Sequence, residues 1–260
     1  MPPPMPPLMK PSPGPGVLMA VVLLVGCQAS PPGVSPVPTV SPTSSQPSSA
    51  GMGEGLLTPD VKSLGQSLLG AAADGDELLV KQLLAKSADV NVQDALRGDT
   101  PLMKAVSGNH LGVARILLKA GASPNARNRA DFSTFLLAAT RGQIEMVRLL
   151  LDGGADLKSV DGYGSTALIY ACKRGHVDTV RLLIAAGSDV NYVSRAGWSC
   201  LTGAVELGNG GPAYQSIVKA LIEGKAQLSR PDQGGMTALA HAHKLGQLEV
   251  ASLLQAAGAR

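Results

Sequence analysis

The stretch that decides the fold is residues 162–191, GYGSTALIYACKRGHVDTVRLLIAAGSDVN. A turn-rich start leads into an apolar block, which Gly175 and His176 interrupt, and a second apolar block then continues up to Gly187. This order predicts a short helix, a tight turn and a second antiparallel helix that a glycine ends. Neither helix is long enough to be stable alone in water, so the unit must pack against something else.

Copies of this unit fill most of the chain. Four of them open at Thr100, Ser133, Thr166 and Ser199, each 33 residues after the one before, and another opens at Thr237. A more divergent block precedes them. The opening threonines Thr100, Thr166 and Thr237 can cap their helices, because the side-chain oxygen accepts a hydrogen bond from the first turn. The sequence therefore predicts a row of capped helix pairs.

The repeated pattern resembles the ankyrin repeat: a period of 33 residues with a Thr-Pro-Leu opening, an alanine-rich first helix, a Gly-His turn and a Gly-Ala-x-x-Asn ending. The resemblance covers about residues 59–260. It implies an all-α ankyrin-repeat solenoid of about six helix-turn-helix repeats with β-hairpin fingers between them. In this family, the fingers and the exposed side of the first helices form a concave groove that binds proteins.

The domain boundaries follow from the repeats. The first helix is predicted to begin at Pro59 after Thr58 as its cap, and five extra residues within 208–214 predict a bulge on the side away from the fingers. We expect the ankyrin repeat domain at residues 58–260, with repeats near 58–98, 99–131, 132–164, 165–197, 198–235 and 236–260.

Residues 1–27 have the pattern of a lipoprotein signal peptide. Lys10 precedes nine uncharged apolar residues at 17–25, a run too short to cross a bilayer as a helix. The run ends in Leu-Val-Gly-Cys, which resembles the bacterial lipobox, and this implies that Cys27 is lipidated and becomes the N-terminus. An uncleaved N-terminus with a chance cysteine is the alternative. Whether translation starts at Met1 or Met9 stays open.

Residues 28–57 are mostly Pro, Ser, Thr, Val and Gly, which predicts a disordered tether. Together with the lipobox, this tether predicts a bacterial protein of the cell envelope that is anchored by its lipid. Gln28 is compatible with sorting to the outer membrane, facing the periplasm or the cell surface, and the leaflet stays open. We expect a monomer that contacts the membrane only through this lipid anchor.

Composition excludes several kinds of partner. The net charge is +3, too small to indicate nucleic-acid binding, and aromatic residues make up only 3% of the chain. We therefore expect a core of aliphatic residues and neither nucleic acid nor a strongly charged molecule as partner. The ankyrin resemblance implies a protein partner, and because no phosphate loop, paired acidic motif or nucleophile elbow appears, we expect no cofactor.

Five of the seven aromatic residues map to the predicted groove over the middle repeats, which suggests a binding hot spot. The alternative is that each aromatic side chain only packs against the next finger. Flanking basic residues favour a mildly acidic partner; they are Arg127, Arg129, Arg141, Lys173, Arg174 and Arg195. The predicted partner-binding residues are Phe132, Leu137, Tyr163, Tyr170, Tyr192, Arg195 and Trp198.

Cys172 and His176 are four residues apart, a spacing that could pair a thiol with a base. The resemblance instead implies that His176 bonds backbone at its turn, and we interpret Cys172 as a small core residue. A disulfide with Cys200 is conceivable in an exported protein, but the two positions are not obviously within bridging distance, so their oxidation state stays open. His241 and His243 point to different faces of a helix, so we expect no metal site.

The pattern favours a protein-protein interaction module, not an enzyme. An immunity-like inhibitor that neutralises one toxin or enzyme is the alternative within binding, and a structural envelope spacer without a specific partner is a third interpretation. A thiol enzyme that uses Cys172 and His176 is the alternative from another class.

Overall fold

The computed structural model describes residues 61–260, and within this range the chain forms twelve α-helices. The predicted signal peptide, lipidated cysteine, tether and start of the first helix lie outside the described residues. The helices are α1 Val61–Asp74, α2 Glu77–Ala85, α3 Pro101–Ser107, α4 Leu111–Lys119, α5 Thr134–Thr140, α6 Ile144–Asp152, α7 Ala167–Lys173, α8 Val177–Ala185, α9 Cys200–Glu206, α10 Pro212–Glu223, α11 Ala238–Lys244 and α12 Leu248–Ala256.

The twelve helices stack in two layers. The odd-numbered helices, here called inner, each contact the next inner helix, and the even-numbered helices, here called outer, do the same in a second layer. Each inner helix also packs on the outer helix that follows it. This arrangement confirms the predicted all-α ankyrin solenoid with six helix pairs in the described part of the chain.

The predicted hydroxyl caps are present on the inner helices. The Thr166 hydroxyl oxygen accepts a hydrogen bond from the backbone N–H of Ile169 at 3.4 Å, and this bond fixes where α7 begins. The same contact recurs one repeat earlier and later. The capping residues are Thr100, Ser133, Thr166, Ser199 and Thr237.

The fingers are shorter than full β-hairpins. Within residues 61–260 there is no regular strand, and the antiparallel pairing consists of single bridges between Arg127 and Ser133 and between Val160 and Thr166. Each finger is closed by a backbone hydrogen bond across its base, such as the 3.1 Å bond from Asn128 N–H to the Phe132 carbonyl. The fingers are therefore tight turns on a narrow base.

The turn within each repeat is tied to the repeat before it. His176 Nε2 lies 2.9 Å from the Thr140 carbonyl oxygen, as the resemblance implied, and His110 makes the equivalent contact with Ala73. In the fifth repeat, the Tyr214 hydroxyl donates to the Lys173 carbonyl at 3.3 Å and takes over this role.

The five-residue insertion supplies that tyrosine. Nine residues form α8, whereas twelve form α10, which begins at Pro212, a residue suited to the first turn of a helix. The insertion thus lengthens an outer helix in addition to forming the predicted loop around Gly208 and Asn209. Its extra turn carries Tyr214 to the preceding repeat.

A second tie, here called the asparagine clamp, joins successive repeats beside the outer helices. Asn125 Nδ2 donates to the Gly154 carbonyl at 3.0 Å, and Asn125 Oδ1 accepts from the Asp156 N–H at 2.9 Å. Asn91 makes the corresponding two bonds with the Gly121 carbonyl and the Ser123 N–H of the next repeat. Asn191 makes them with the Lys225 carbonyl and the Gln227 N–H. One carboxamide therefore satisfies both a carbonyl and an N–H beyond the end of an outer helix.

We expect Asn125→Ala to lower the free energy of unfolding by about 1–3 kcal/mol, because two hydrogen bonds between repeats are lost. Urea denaturation followed by circular dichroism measures the change. Lys158→Ala is the matched control: Lys158 occupies the equivalent position, and its side chain forms no hydrogen bond within residues 61–260, so its effect should stay within about 0.5 kcal/mol. Equal losses in both variants would contradict the clamp.

Candidate functional site

The candidate site is the surface formed by the fingers and the inner helices, here called the groove face. One repeat position dominates it: the fourth residue after each helix cap, which points from the inner helix towards the finger. The residues at this position are Lys104, Leu137, Tyr170, Gly203 and His241.

Tyr170 is bound to its own finger. Its hydroxyl donates a short hydrogen bond to Asp161 Oδ2, while Asp161 Oδ1 accepts the N–H groups of Tyr163 and Ser165 and so closes the finger turn. Burial, and then the hydrogen bond to Asp161, raise the pKa of Tyr170 far above its usual range. The phenol therefore stays a hydrogen-bond donor at physiological pH, and its ring position is fixed.

Lys104 makes the corresponding contact in the second repeat. Its ammonium pairs with Asp94 and with Asp99. Burial acts to raise the pKa of Asp94, but the hydrogen bonds from Lys104 and from the backbone of Arg97 and Leu96 outweigh burial and lower it to about 2. The hydrogen bond to Asp94 in turn raises the pKa of Lys104. The charge of Lys104 is therefore compensated within its own repeat, by Asp94 and Asp99.

Phe132 and Tyr170 form an aromatic pair on the groove face. Their ring centroids are 5.3 Å apart and their planes meet at 78°, an edge-to-face contact. Phe132 is half-buried. The structure thus brings together two predicted partner-binding residues from adjacent repeats, and both are half-buried.

Trp198 forms the next aromatic feature along the face. The Lys173 ammonium lies 4.6 Å from the centre of the Trp198 ring, a cation–π contact. Gly203 leaves the space that the Lys173 side chain occupies, since a Cβ at Gly203 would lie only 2.8 Å from Lys173 Cγ. Gly203 was not among the predicted site residues. The sequence did mark it as unusual, because the equivalent position in the other repeats from Thr100 onwards carries a large side chain.

The other predicted residues on this face differ in exposure. Tyr163 is 73% exposed near the tip of its finger. Leu137 is half-buried and packs against the core. Arg195 is exposed and donates to the Gly162 carbonyl at 3.3 Å, which links its finger to the one before.

Tyr192 is placed away from this group. It lines a cavity of about 470 Å³ together with Leu157, Asp156 and Asp189, which follow the ends of the outer helices α6 and α8. Of the inner-helix segments, only the cap residue Thr166 reaches this cavity. Tyr192 therefore belongs to a different environment from Phe132.

The flanking arginines are held in place by acceptors of the chain itself. Arg127 pairs with Asp131 at 2.7 Å, so its charge is compensated. Arg129 donates to the Ala95 carbonyl at 2.7 Å, and Arg141 to the Ser107 carbonyl at 2.9 Å. Because a carbonyl acceptor is neutral, Arg129 and Arg141 keep their positive charge towards solvent.

The cysteines correct one expectation. Cys172 and Cys200 are joined in a disulfide between α7 and α9, with their Cα atoms 5.5 Å apart, so they are within bridging distance. The two residues sit at different repeat positions, but inner helices built from small residues such as Ala171 and Ala204 approach closely. Cys172 is fully buried, and His176 contacts a backbone carbonyl, so the pair offers no thiolate to a substrate.

We expect the disulfide to contribute about 2–4 kcal/mol to the free energy of unfolding, since it closes a loop of 28 residues. Guanidinium denaturation of the wild type with and without dithiothreitol, and of Cys172→Ala/Cys200→Ala, measures this. Dithiothreitol should destabilise the wild type and leave the double variant unchanged. Reaction of both thiols with Ellman's reagent in unreduced, unfolded wild type would show that the bond is absent.

One group of side chains in the described range has the composition of a metal site. Glu206, Asp232 and His241 place their ligand atoms within 4.8 Å of one another. His241 Nε2 lies 2.6 Å from Asp232 Oδ2, and this hydrogen bond lowers the pKa of Asp232. The pair repeats the finger contact of Tyr170, and Glu206 is exposed, so the structural role accounts for this group.

A family model described as ankyrin repeats in three copies matches residues 68–161 and also residues 135–222, which together exceed half of the chain. The chain belongs to the ankyrin repeat family. Proteins built on this fold are interaction modules that typically have no catalytic activity. No helix within residues 61–260 is both long and apolar enough to cross a membrane.

Solved ankyrin structures match most of the chain. An ankyrin repeat domain from Acinetobacter baumannii AYE is 43% identical with a TM-score of 0.71, over 74% of this chain and 98% of that one. The ankyrin repeat protein EF0377 is 34% identical with a TM-score of 0.70, over 74% and 97%. The 2-5A-dependent ribonuclease of Mus musculus is 38% identical over 72 residues, which cover 28% of this chain and only 10% of the ribonuclease.

Proposed function

We propose that the groove face binds another protein and that Phe132, Tyr163, Tyr170 and Trp198 supply the main contacts. The observation that supports this most directly is the Phe132–Tyr170 pair, which fixes two rings without burying them completely. Aromatic side chains held rigid before binding lose little entropy in a complex, so they are effective anchors.

The aromatic residues do not contribute equally in this proposal. The Tyr170 hydroxyl is already bonded to Asp161, so Tyr170 offers mainly its ring. Tyr163 is exposed, and its side chain forms no hydrogen bond within residues 61–260. Trp198 and Tyr163 are therefore the residues whose removal tests binding with the least effect on the fold.

Charge defines the kind of partner. Arg129, Arg195 and Lys173 carry positive charges that take part in no ion pair within the described range. They surround the aromatic residues in the middle repeats. An acidic segment with one or two large apolar side chains complements this surface, because the apolar groups fill the aromatic sites and the acids meet the basic rim.

We expect Tyr163→Ala/Trp198→Ala to weaken partner binding by at least about thirtyfold, since even one hot-spot truncation costs about 2 kcal/mol or more. The immobilised full chain is used to capture partners from an envelope extract, mass spectrometry identifies them, and calorimetry with the purified partner gives the affinity. Leu78→Ala, which removes an exposed apolar side chain on the outer helix α2, is the matched control. A partner that binds wild type and double variant equally would refute the groove-face assignment.

We also propose that the protein is anchored in the bacterial cell envelope through a lipid on Cys27. The support is the apolar run after Lys10, the lipobox-like ending and the proline-rich segment that follows. The disulfide between Cys172 and Cys200 agrees with export, because such bonds persist in oxidising compartments. Two or more acyl chains on one cysteine are enough for stable anchoring.

Metabolic labelling with radioactive palmitate tests the anchor. We expect the wild type to be labelled and to sediment with membranes, and Cys27→Ser to lose both properties while the protein is still made. Cys172→Ala/Cys200→Ala is the control for general cysteine acylation, because it keeps Cys27 as the single cysteine of the sequence and should retain the label. Label retained in Cys27→Ser would exclude Cys27 as the lipidated residue.

A further inference from the structure

The cavity of about 470 Å³ lies where the series of asparagine clamps is interrupted. Asn125 and Asn191 each stand eight residues before the cap of the next inner helix, and the residue at this position between them is Lys158. The fifth repeat has Ser229 there, whose hydroxyl still accepts the Arg260 N–H at 2.9 Å. Within the described chain, the junction between the third and fourth repeats is therefore the one at which neither bond of the clamp is made.

The backbone at this junction keeps the shape that the clamp requires. The Lys158 N–H donates to Asp156 Oδ1 at 2.8 Å, just as the Asn191 N–H donates to Asp189 Oδ1 at 2.8 Å. The clamp is therefore missing because of the side chain and not because of the loop. The exposed side chain of Lys158 forms no ion pair within residues 61–260.

Two backbone groups are left without the partner that their counterparts have. At the previous junction, Asn125 binds the Gly154 carbonyl and the Asp156 N–H. The corresponding groups here are the Gly187 carbonyl and the Asp189 N–H, and neither forms a hydrogen bond within the described residues. Both residues line the cavity.

The chemistry of this pair selects its ligand. A carbonyl and an N–H side by side require one donor and one acceptor in a fixed arrangement, which a carboxamide supplies. A carboxylate has no donor and an ammonium has no acceptor, so each would satisfy only half of the site. Leu157, Ala155 and Tyr192 line the rest of the cavity and can contact the carbon chain that carries the amide.

We propose that this cavity binds an asparagine side chain of another polypeptide, in the orientation that the chain's own asparagines adopt at the other junctions. The cavity and the groove face are lined by different residues, so this assignment does not depend on the proposed function. The bound carboxamide would complete the clamp between the third and fourth repeats from outside.

The probe is N-acetyl-asparagine methylamide, with N-acetyl-alanine methylamide as the matched compound that lacks only the side-chain carboxamide. Each is titrated into the ¹⁵N-labelled full chain while amide chemical shifts are recorded. We expect saturable shifts of the Asp189 amide with the asparagine compound only, with a dissociation constant on the order of millimolar for so small a ligand. Equal shifts with both compounds, or no shift at Asp189, would overturn the proposal.

Two substitutions at one position sharpen the test. Lys158→Asn should fill the site with an internal carboxamide, protect the Asp189 amide from hydrogen exchange and weaken probe binding by at least about tenfold. Lys158→Ala should leave the amide unprotected and keep the probe affinity of the wild type. Unprotected Asp189 in Lys158→Asn, or undiminished probe binding there, would show that the site does not recognise a carboxamide.

Discussion

The structure depends on contacts between successive repeats, because no helix pair can stand alone. Most inner helices have seven residues and most outer helices have nine, which is too short to be stable alone in water. Small inner-helix residues such as Ala171 and Ala204 let the layers approach, and side chains then satisfy the exposed helix ends. His176 reaches back to Thr140 and Asn125 reaches forward to Gly154, so side chains connect successive repeats in both directions along the stack.

On the groove face, the side chains that hold the fingers in place also form part of the exposed surface. The polar groups of Lys104 and His241 contact acidic residues of their own fingers. The Tyr170 hydroxyl does the same with Asp161, but its ring stays partly exposed. A phenol can do both because its polar group is at one end and its apolar surface is at the side. The sequence left two interpretations for the aromatic residues: packing against a finger, or binding a partner. For Tyr170 the two are compatible, because its hydroxyl is bonded to the finger while its ring is partly exposed.

Much of the fold was predictable because the pattern repeats. The step of 33 residues located the caps, and the structure has a hydroxyl cap on each inner helix from Thr100 onwards. Contacts between residues at different repeat positions were not predictable from that register, which is why the sequence left the oxidation state of Cys172 and Cys200 open. Lys158 was missed for a different reason: the asparagine ending helped to identify the repeat, but only the structure shows what its amide binds.

Departures from the repeat are the places where this chain differs from a uniform scaffold, and the fourth repeat has one on each side. Towards the fifth repeat it is joined by the disulfide, whose cysteines lie two residues after Tyr170 and Trp198. Towards the third repeat it lacks the asparagine clamp and leaves a cavity beside Lys158. A covalent tie so close in the chain to these aromatic residues limits how far the groove face can change shape. The unclamped junction, in contrast, keeps unpaired backbone groups that a ligand can bind without displacing any contact within the chain.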